Sequence, residues 1–267
     1  MDILTFVLLL AAGCAAGFFA GFFGVGGGIL LVPVLLVYYG TTTTTSLVTT
    51  HLAFGTSLFV IIFASASSAY RYNRAQYVIW RGALLMAVGS VVGALLGSVI
   101  AAMLQGHTLR QIFAAVLVVA AIRLLSKPRK PKGNIPPDLA PQKLLPAGLF
   151  VGLVASLAGI GGGVFAIPIM YSLFRFPLKK ALGTSSAIIA ITALVASSGY
   201  AIKGWNMQGL PPHTLGYVDY LAAIPLILGS LPLAIIGAAV AEKTRSDTLR
   251  KIFALLLIVV AAKMFLG

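Results

Sequence analysis

With 267 residues, 60% of them apolar and only 9% charged, the chain lies far outside the composition of a soluble domain, in which about a quarter of residues are charged. Apolar runs of about 20 residues recur from end to end, which points to a chain that crosses a membrane many times. The net charge of +14 would suggest nucleic acid in a soluble protein. Here Lys and Arg sit in short loops between apolar runs, as the positive-inside tendency predicts, and nucleic-acid binding is set aside. The lone cysteine, Cys14, excludes an intramolecular disulfide. It lacks the preceding basic region of a lipoprotein leader and reads as a helix residue.

The apolar segments follow in chain order near 3–39, 47–69, 76–103, 109–125, 145–174, 181–202, 217–240 and 248–266. Most have the length of one crossing, but the first and fifth are too long for one. Each of those two contains a glycine cluster, GFFGVGGGILLVP at 21–33 and SLAGIGGGVFAIP at 156–168. Three successive glycines break a helix. Both segments therefore read as two helical pieces around Gly24–Gly28 and Gly159–Gly163, with Pro33 and Pro168 as further helix-breaking residues. Between the fourth and fifth segments lies a proline-rich, basic linker, 127–144.

The order of motifs repeats. GVGGG at 24–28 matches GIGGG at 159–163, and GTS at 55–57 matches GTS at 183–185. SSAY at 67–70 matches SSGY at 197–200, and TLRQIFA at 108–114 matches TLRKIFA at 248–254. The expected fold is an all-α integral membrane protein with an internal duplication. Residues 1–126 form the first repeat and 145–267 the second, each a broken, re-entrant-like helical hairpin plus three transmembrane helices.

Charge chooses between parallel and inverted repeats. Corresponding loops carry opposite amounts of Lys and Arg. The first loop has none in the first half, against Arg175, Lys179 and Lys180 in the second. The next has Arg71, Arg74 and Arg81 against Lys203, and the third has Arg110 against Lys243, Arg245, Arg250 and Lys251. An inverted repeat gathers the basic loops and the linker in the cytoplasm and leaves both termini outside, whereas a parallel repeat leaves little bias to explain.

Backbone that is not helical at membrane depth is tolerated only where protein or a water-filled cavity surrounds it. Inverted repeats with broken helices commonly hold substrate at such a place. The expectation is that Gly24, Gly26, Gly27 and Gly28 face Gly159, Gly161, Gly162 and Gly163 across a polar chamber. Freed amides at the helix starts would there bind an anion. Thr56, Ser57, Thr184 and Ser185 could add hydroxyl donors. Bland alternatives stand beside these: the glycines could serve close helix packing, and the hydroxyls could bond within their own helices.

His51 is a candidate for proton linkage or for a hydrogen bond at a helix mouth, and Lys179 for a basic vestibule or a topology signal. The acids, Asp2, Asp138, Asp219, Glu242 and Asp247, all read as residues of ends and loops, which argues against a cation pathway. No catalytic grouping, metal-ligand spacing or cofactor motif is present in the sequence.

The duplicated Gly-x-Gly-Gly-Gly with its proline, the GTS after each, and the closing Leu-Arg-x-Ile-Phe helix resemble the sulfite exporter TauE/SafE family of bacterial membrane proteins, over about Gly17 to Leu266. The resemblance implies a two-repeat carrier of the bacterial inner membrane, with the bilayer and a small anion as its partners. Sulfite or an organosulfonate as the substrate, and export as the direction, come from the resemblance alone. The threonine run 41–45, where the second half has a charged loop, departs from the repeat. Uptake of another small anion or sulfur compound, or a membrane assembly role without transport, remain open on the residues themselves.

Overall fold

The computed structural model describes residues 2–42, 46–125 and 137–266. Most of the linker and of the threonine run lies outside them. The described residues form ten helices: α1 Ile3–Phe23, α2 Gly28–Thr42, α3 Ser46–Arg74, α4 Trp80–Met103, α5 Gly106–Leu125, α6 Pro141–Ala158, α7 Gly163–Ser172, α8 Leu178–Lys203, α9 Tyr220–Lys243 and α10 Ser246–Leu266. Six of them, α1, α3, α4, α6, α8 and α9, are long and apolar enough to cross a membrane. The chain is thus an all-helical integral membrane protein, apart from a hairpin of two-residue strands, β1 Thr214–Leu215 and β2 Val218–Asp219, just before α9.

The expected breaks are present and fall on the glycines. α1 stops at Gly24 with φ of 63°, and α6 stops at Gly159 with φ of 65°. Gly26 and Gly27 have φ of 87° and 83°, and Gly161 and Gly162 have 81° and 86°. A side chain would strain this left-handed backbone, which glycine adopts freely. Pro33 and Pro168 do not break the chain. They lie inside α2 and α7, one turn beyond each start.

Two seams of small residues hold the bundle. On α1, Gly13, Gly17 and Gly21 face Leu226, Ser230 and Ala234 of α9 so closely that a Cβ on Gly17 would lie 2.4 Å from the Ser230 carbonyl oxygen. On α6, Gly148 and Gly152 face Met86 and Ser90 of α4, and a Cβ on Gly152 would lie 2.0 Å from the Ser90 oxygen. Lipid tails are as apolar as leucine, so helices in a membrane associate through close van der Waals contact rather than through a hydrophobic drive. Bare backbone at these positions makes that contact close. Ser156 adds an interhelical hydrogen bond to Ala94 O at 3.0 Å.

The contacts also give helix directions. Along each seam, residue numbers rise together, so α1 runs parallel to α9 and α6 parallel to α4. By contrast α3 and α8 run antiparallel: Gly55 near the start of α3 lies against Tyr200 near the end of α8, and Gly183 near the start of α8 lies against Tyr72 near the end of α3. The packing partners keep their pattern when the halves are exchanged. α1 on α9 mirrors α6 on α4, α2 on α3 mirrors α7 on α8, and α5 meets α10.

One sequence match is out of register. Tyr72 donates to Gly21 O at 2.8 Å, and Tyr200 donates to Ser156 O at 2.9 Å. These paired bonds keep the spacing that relates Gly55 to Gly183. The structural counterpart of Tyr200 is therefore Tyr72, and the SSAY–SSGY match is slipped by half a helical turn.

The seams make a direct prediction. Gly152→Ala should lower stability by about 2 kcal/mol or more, because backbone blocks the new methyl. Gly40→Ala, which meets nothing within 4 Å, should be neutral or stabilising by up to about 1 kcal/mol. Thermal unfolding of the two variants in the same detergent checks both.

Candidate functional site

The two glycine loops meet. A Cβ on Gly28 would lie 2.7 Å from Ile160 Cα and 3.0 Å from Gly159 O, and one on Gly163 would lie 2.6 Å from Val25 Cα and 3.0 Å from Gly24 O. All of Gly24–Gly28 and Gly159–Gly163 are buried. The start of α2 thus abuts the end of α6, and the start of α7 abuts the end of α1. The first turns are closed by Leu30 and Leu31 N–H on Gly27 O, and by Phe165 and Ala166 N–H on Gly162 O. The earliest amides of each helix have no acceptor within it, so Gly28, Ile29, Gly163 and Val164 bring donors to the crossing.

In this conformation apolar side chains pack beside the loops. Ile61 of α3 and Ile189 of α8 fill the space beside them, with Ile61 Cγ2 2.9 Å and Ile189 Cγ2 3.0 Å from a Cβ built on Gly26. The same two side chains flank Gly161, at 3.0 and 2.8 Å. Two buried hydroxyls stand without partners, and one of them, Ser65, lies beside the loops. Ser65 Oγ and Ser185 Oγ are buried and make no hydrogen bond, and Ser65 Oγ lies 3.1 Å from the Gly26 Cβ position. A buried hydroxyl without a partner is costly, so each marks a place where polar company is missing.

The four hydroxyls singled out in the sequence divide. Thr56 Oγ1 accepts from Asp219 N and Thr184 Oγ1 accepts from Ile79 N, both at 3.0 Å. The threonines therefore tie α3 and α8 to the residues that open α9 and α4, and their hydroxyls are engaged away from the loops. Ser57 donates to Gly159 O at 3.1 Å and fixes one loop, while its counterpart Ser185 is unpaired.

His51 and Lys179 each lie ten residues before the isoleucines, about 15 Å along the helix axis. His51 Nε2 is 3.1 Å from Ala101 O, and its ring stacks on Tyr217 with centroids 5.0 Å apart. Its Nδ1 is buried without a partner. Lys179 donates to Glu242 O, and Arg71 pairs with the Glu242 carboxylate at 2.7 Å. Neither His51 nor Lys179 belongs to the glycine crossing.

The sequence reading missed Asp219. It is not a free loop acid but is 5% exposed and caps α9, accepting from Ala222 N at 3.0 Å and from Tyr39 OH at 3.2 Å. Tyr39 OH lies equally close to Thr56 Oγ1, so one cluster joins α2, α3 and α9. The signal was available: an aspartate directly before an apolar run is an N-cap signature. Ile61, Ile189 and Ser65 carried no such local mark. Among the described residues, no group of three His, Cys, Asp or Glu could hold a metal. A groove of about 400 Å³ between α2 and α10, walled by Leu30, Pro33, Val37 and Leu256, has a hydrocarbon lining and is separate from the crossing.

The profile of the sulfite exporter TauE/SafE family matches residues 9–264, nearly the whole chain. The chain belongs to that family. It is 29% identical to a probable membrane transporter protein of Haemophilus influenzae, over 98% of this chain and 99% of that one. It is likewise 29% identical to the probable membrane transporter protein YunE of Bacillus subtilis, over 98% and 97%. No solved structure matches. The resemblance read from the duplicated motifs is thereby borne out, and the protein is a multi-pass membrane transporter of the TauE/SafE family.

Burial holds the Asp219 carboxyl above the usual carboxylate range, so the folded protein binds that proton more tightly than the unfolded chain. Its stabilising contribution is present at acid pH and is lost as the pH rises through the folded-state value. Asp219→Asn keeps an acceptor for Ala222 N and removes the titration. The thermal midpoint of the natural protein should therefore fall relative to that of the variant as the pH rises above about 4, the ordinary aspartate value. Parallel curves would show that the acid is not shifted.

Proposed function

We propose that this transporter carries a small anion, of the sulfite or organosulfonate class, by alternating access around the two glycine loops. The observation that carries this reading is the meeting of two helix starts, α2 and α7, at bare backbone beside the unpartnered hydroxyl of Ser65. Amides at helix starts favour negative guests, and glycine lets a guest reach them. Ile61 and Ile189 touch the loops through the ends of their side chains. Rotation of those ends, rather than refolding of the loops, is the movement that admits the anion.

The repeats are proposed to lie in the membrane with opposite orientations. The antiparallel course of α3 and α8, with the mirrored packing of the halves, supports this. One end of the bundle then gathers Arg71, Arg74, Arg81, Lys143, Lys180, Lys243 and Arg245, while Arg110 and Lys203 lie at the other. The positive-inside rule makes the first end cytoplasmic, with the linker inside and both termini outside. Export is favoured because the basic end gathers anions from the cytoplasm.

In this scheme each face has its own closure. Arg71, Lys179 and Glu242 tie α3 and α8 to α9 on the inner face. Tyr39, Thr56 and Asp219 tie α2 and α3 to α9 on the outer face. Transport opens one set at a time.

Purified protein in liposomes should give saturable counterflow of radiolabelled sulfite above empty vesicles, and absence of that flux would remove sulfite as substrate. For orientation, single cysteines replacing exposed Thr41 and Lys180 in a Cys14→Ser background should label from opposite faces. Labelling from one face would overturn the inverted arrangement.

A further inference from the structure

We infer that the anion recognised at the glycine crossing is a monoanion with a compact oxyanion head, bisulfite or an alkylsulfonate rather than the sulfite or sulfate dianion. The inference rests on the anion-carrier reading above and narrows it to a charge class.

The donors that the described residues bring to the crossing are neutral. They are the first amides of α2 and α7 and the Ser65 hydroxyl, which is 1% exposed, has no partner and lies beside Gly26. The described ionisable side chains of α3 and α8 lie toward the ends of those helices, away from the isoleucines. Arg71 and Lys179 are held by Glu242, and His51 bonds to Ala101 O, each about three turns along its helix from Ile61 or Ile189. The carbonyl ends of α1 and α6 also reach the crossing, with Gly24 O against Gly163 and Gly159 O against Gly28. They offset part of the positive field of the two helix starts.

Against this modest field stands the cost of leaving water. Charging energy grows with the square of the charge, so a dianion loses about four times as much solvation as a monoanion of equal size. Neutral donors between hydrocarbon walls can compensate the smaller loss. The walls add a second preference: Ile61 and Ile189 give an alkyl face of the guest an apolar surface, while its oxygens meet amides and Ser65. Ser65 has no hydroxyl counterpart, because Ala193 stands at the related place in α8. The recognition is therefore one-sided and orients the guest.

The test is counterflow in liposomes with radiolabelled sulfite, methanesulfonate and sulfate. Sulfite flux at fixed total concentration should rise as the pH moves from mildly alkaline to mildly acidic and bisulfite replaces the dianion. Methanesulfonate, a monoanion throughout, should move without that dependence, and sulfate should neither move nor compete. Flux that follows the dianion, or sulfate competing as well as methanesulfonate, overturns the inference.

Ser65→Ala should raise KM for the moving anion about tenfold, the usual worth of a hydrogen bond to a charged group. It should leave kcat and the thermal midpoint unchanged or the midpoint higher, because Oγ has no partner to lose. A lower midpoint with unchanged KM would assign Ser65 to structure and count against the inference. If no anion moves, the carrier reading fails, and binding then decides the charge class. Thermal stabilisation of detergent-purified protein by methanesulfonate and not by sulfate supports it, and stabilisation by neither overturns it.

Discussion

A broken helix inside a bilayer exposes amides and carbonyls that lipid cannot satisfy. This constraint governs the molecule. Each repeat carries one such break, and neither could exist alone facing hydrocarbon. The solution is mutual: the end of α6 covers the start of α2, and the end of α1 covers the start of α7. Around that crossing, Ser57 supplies a donor to Gly159 O, and Ile61 and Ile189 pack against both loops. The breaks need the seams as well, because α1 and α6 reach the crossing only when Gly17 and Gly152 let them lie against α9 and α4.

Much of this was legible in the chain. Long apolar runs announced the helices, and the positive-φ glycines of both loops lie where the triplets placed them. The duplication foretold that the loops would be equivalent. Local signals did not reach further. SSAY and SSGY suggested a register that the bonds of Tyr72 and Tyr200 correct, because side-chain identity over four residues is weaker than the spacing of a packed helix. Thr56 and Thr184 resembled ligands by position, yet they face the residues that open α9 and α4. Such contacts join residues far apart in the chain, and no local pattern encodes them.

The two halves are related but not equal. Asp219 and Tyr39 build a hydrogen-bonded cluster at one end, where the other half has Ile79 beside Thr184. Arg71 and Glu242 build an ion pair at the opposite end. Ser57 is bonded and Ser185 is not. The two ends of the bundle are thus tied by different chemistry, one by a buried acid and a phenol, the other by an ion pair.

The parallel seams have a consequence for biogenesis. α1 is made well before its partner α9, with seven helices between them, and α4 is made before α6, on the far side of the linker. Until α9 arrives, the Gly13–Gly17–Gly21 stripe faces lipid with nothing to seat against it. Insertion of α1 and its docking on α9 are therefore separated in time by the synthesis of the helices between them.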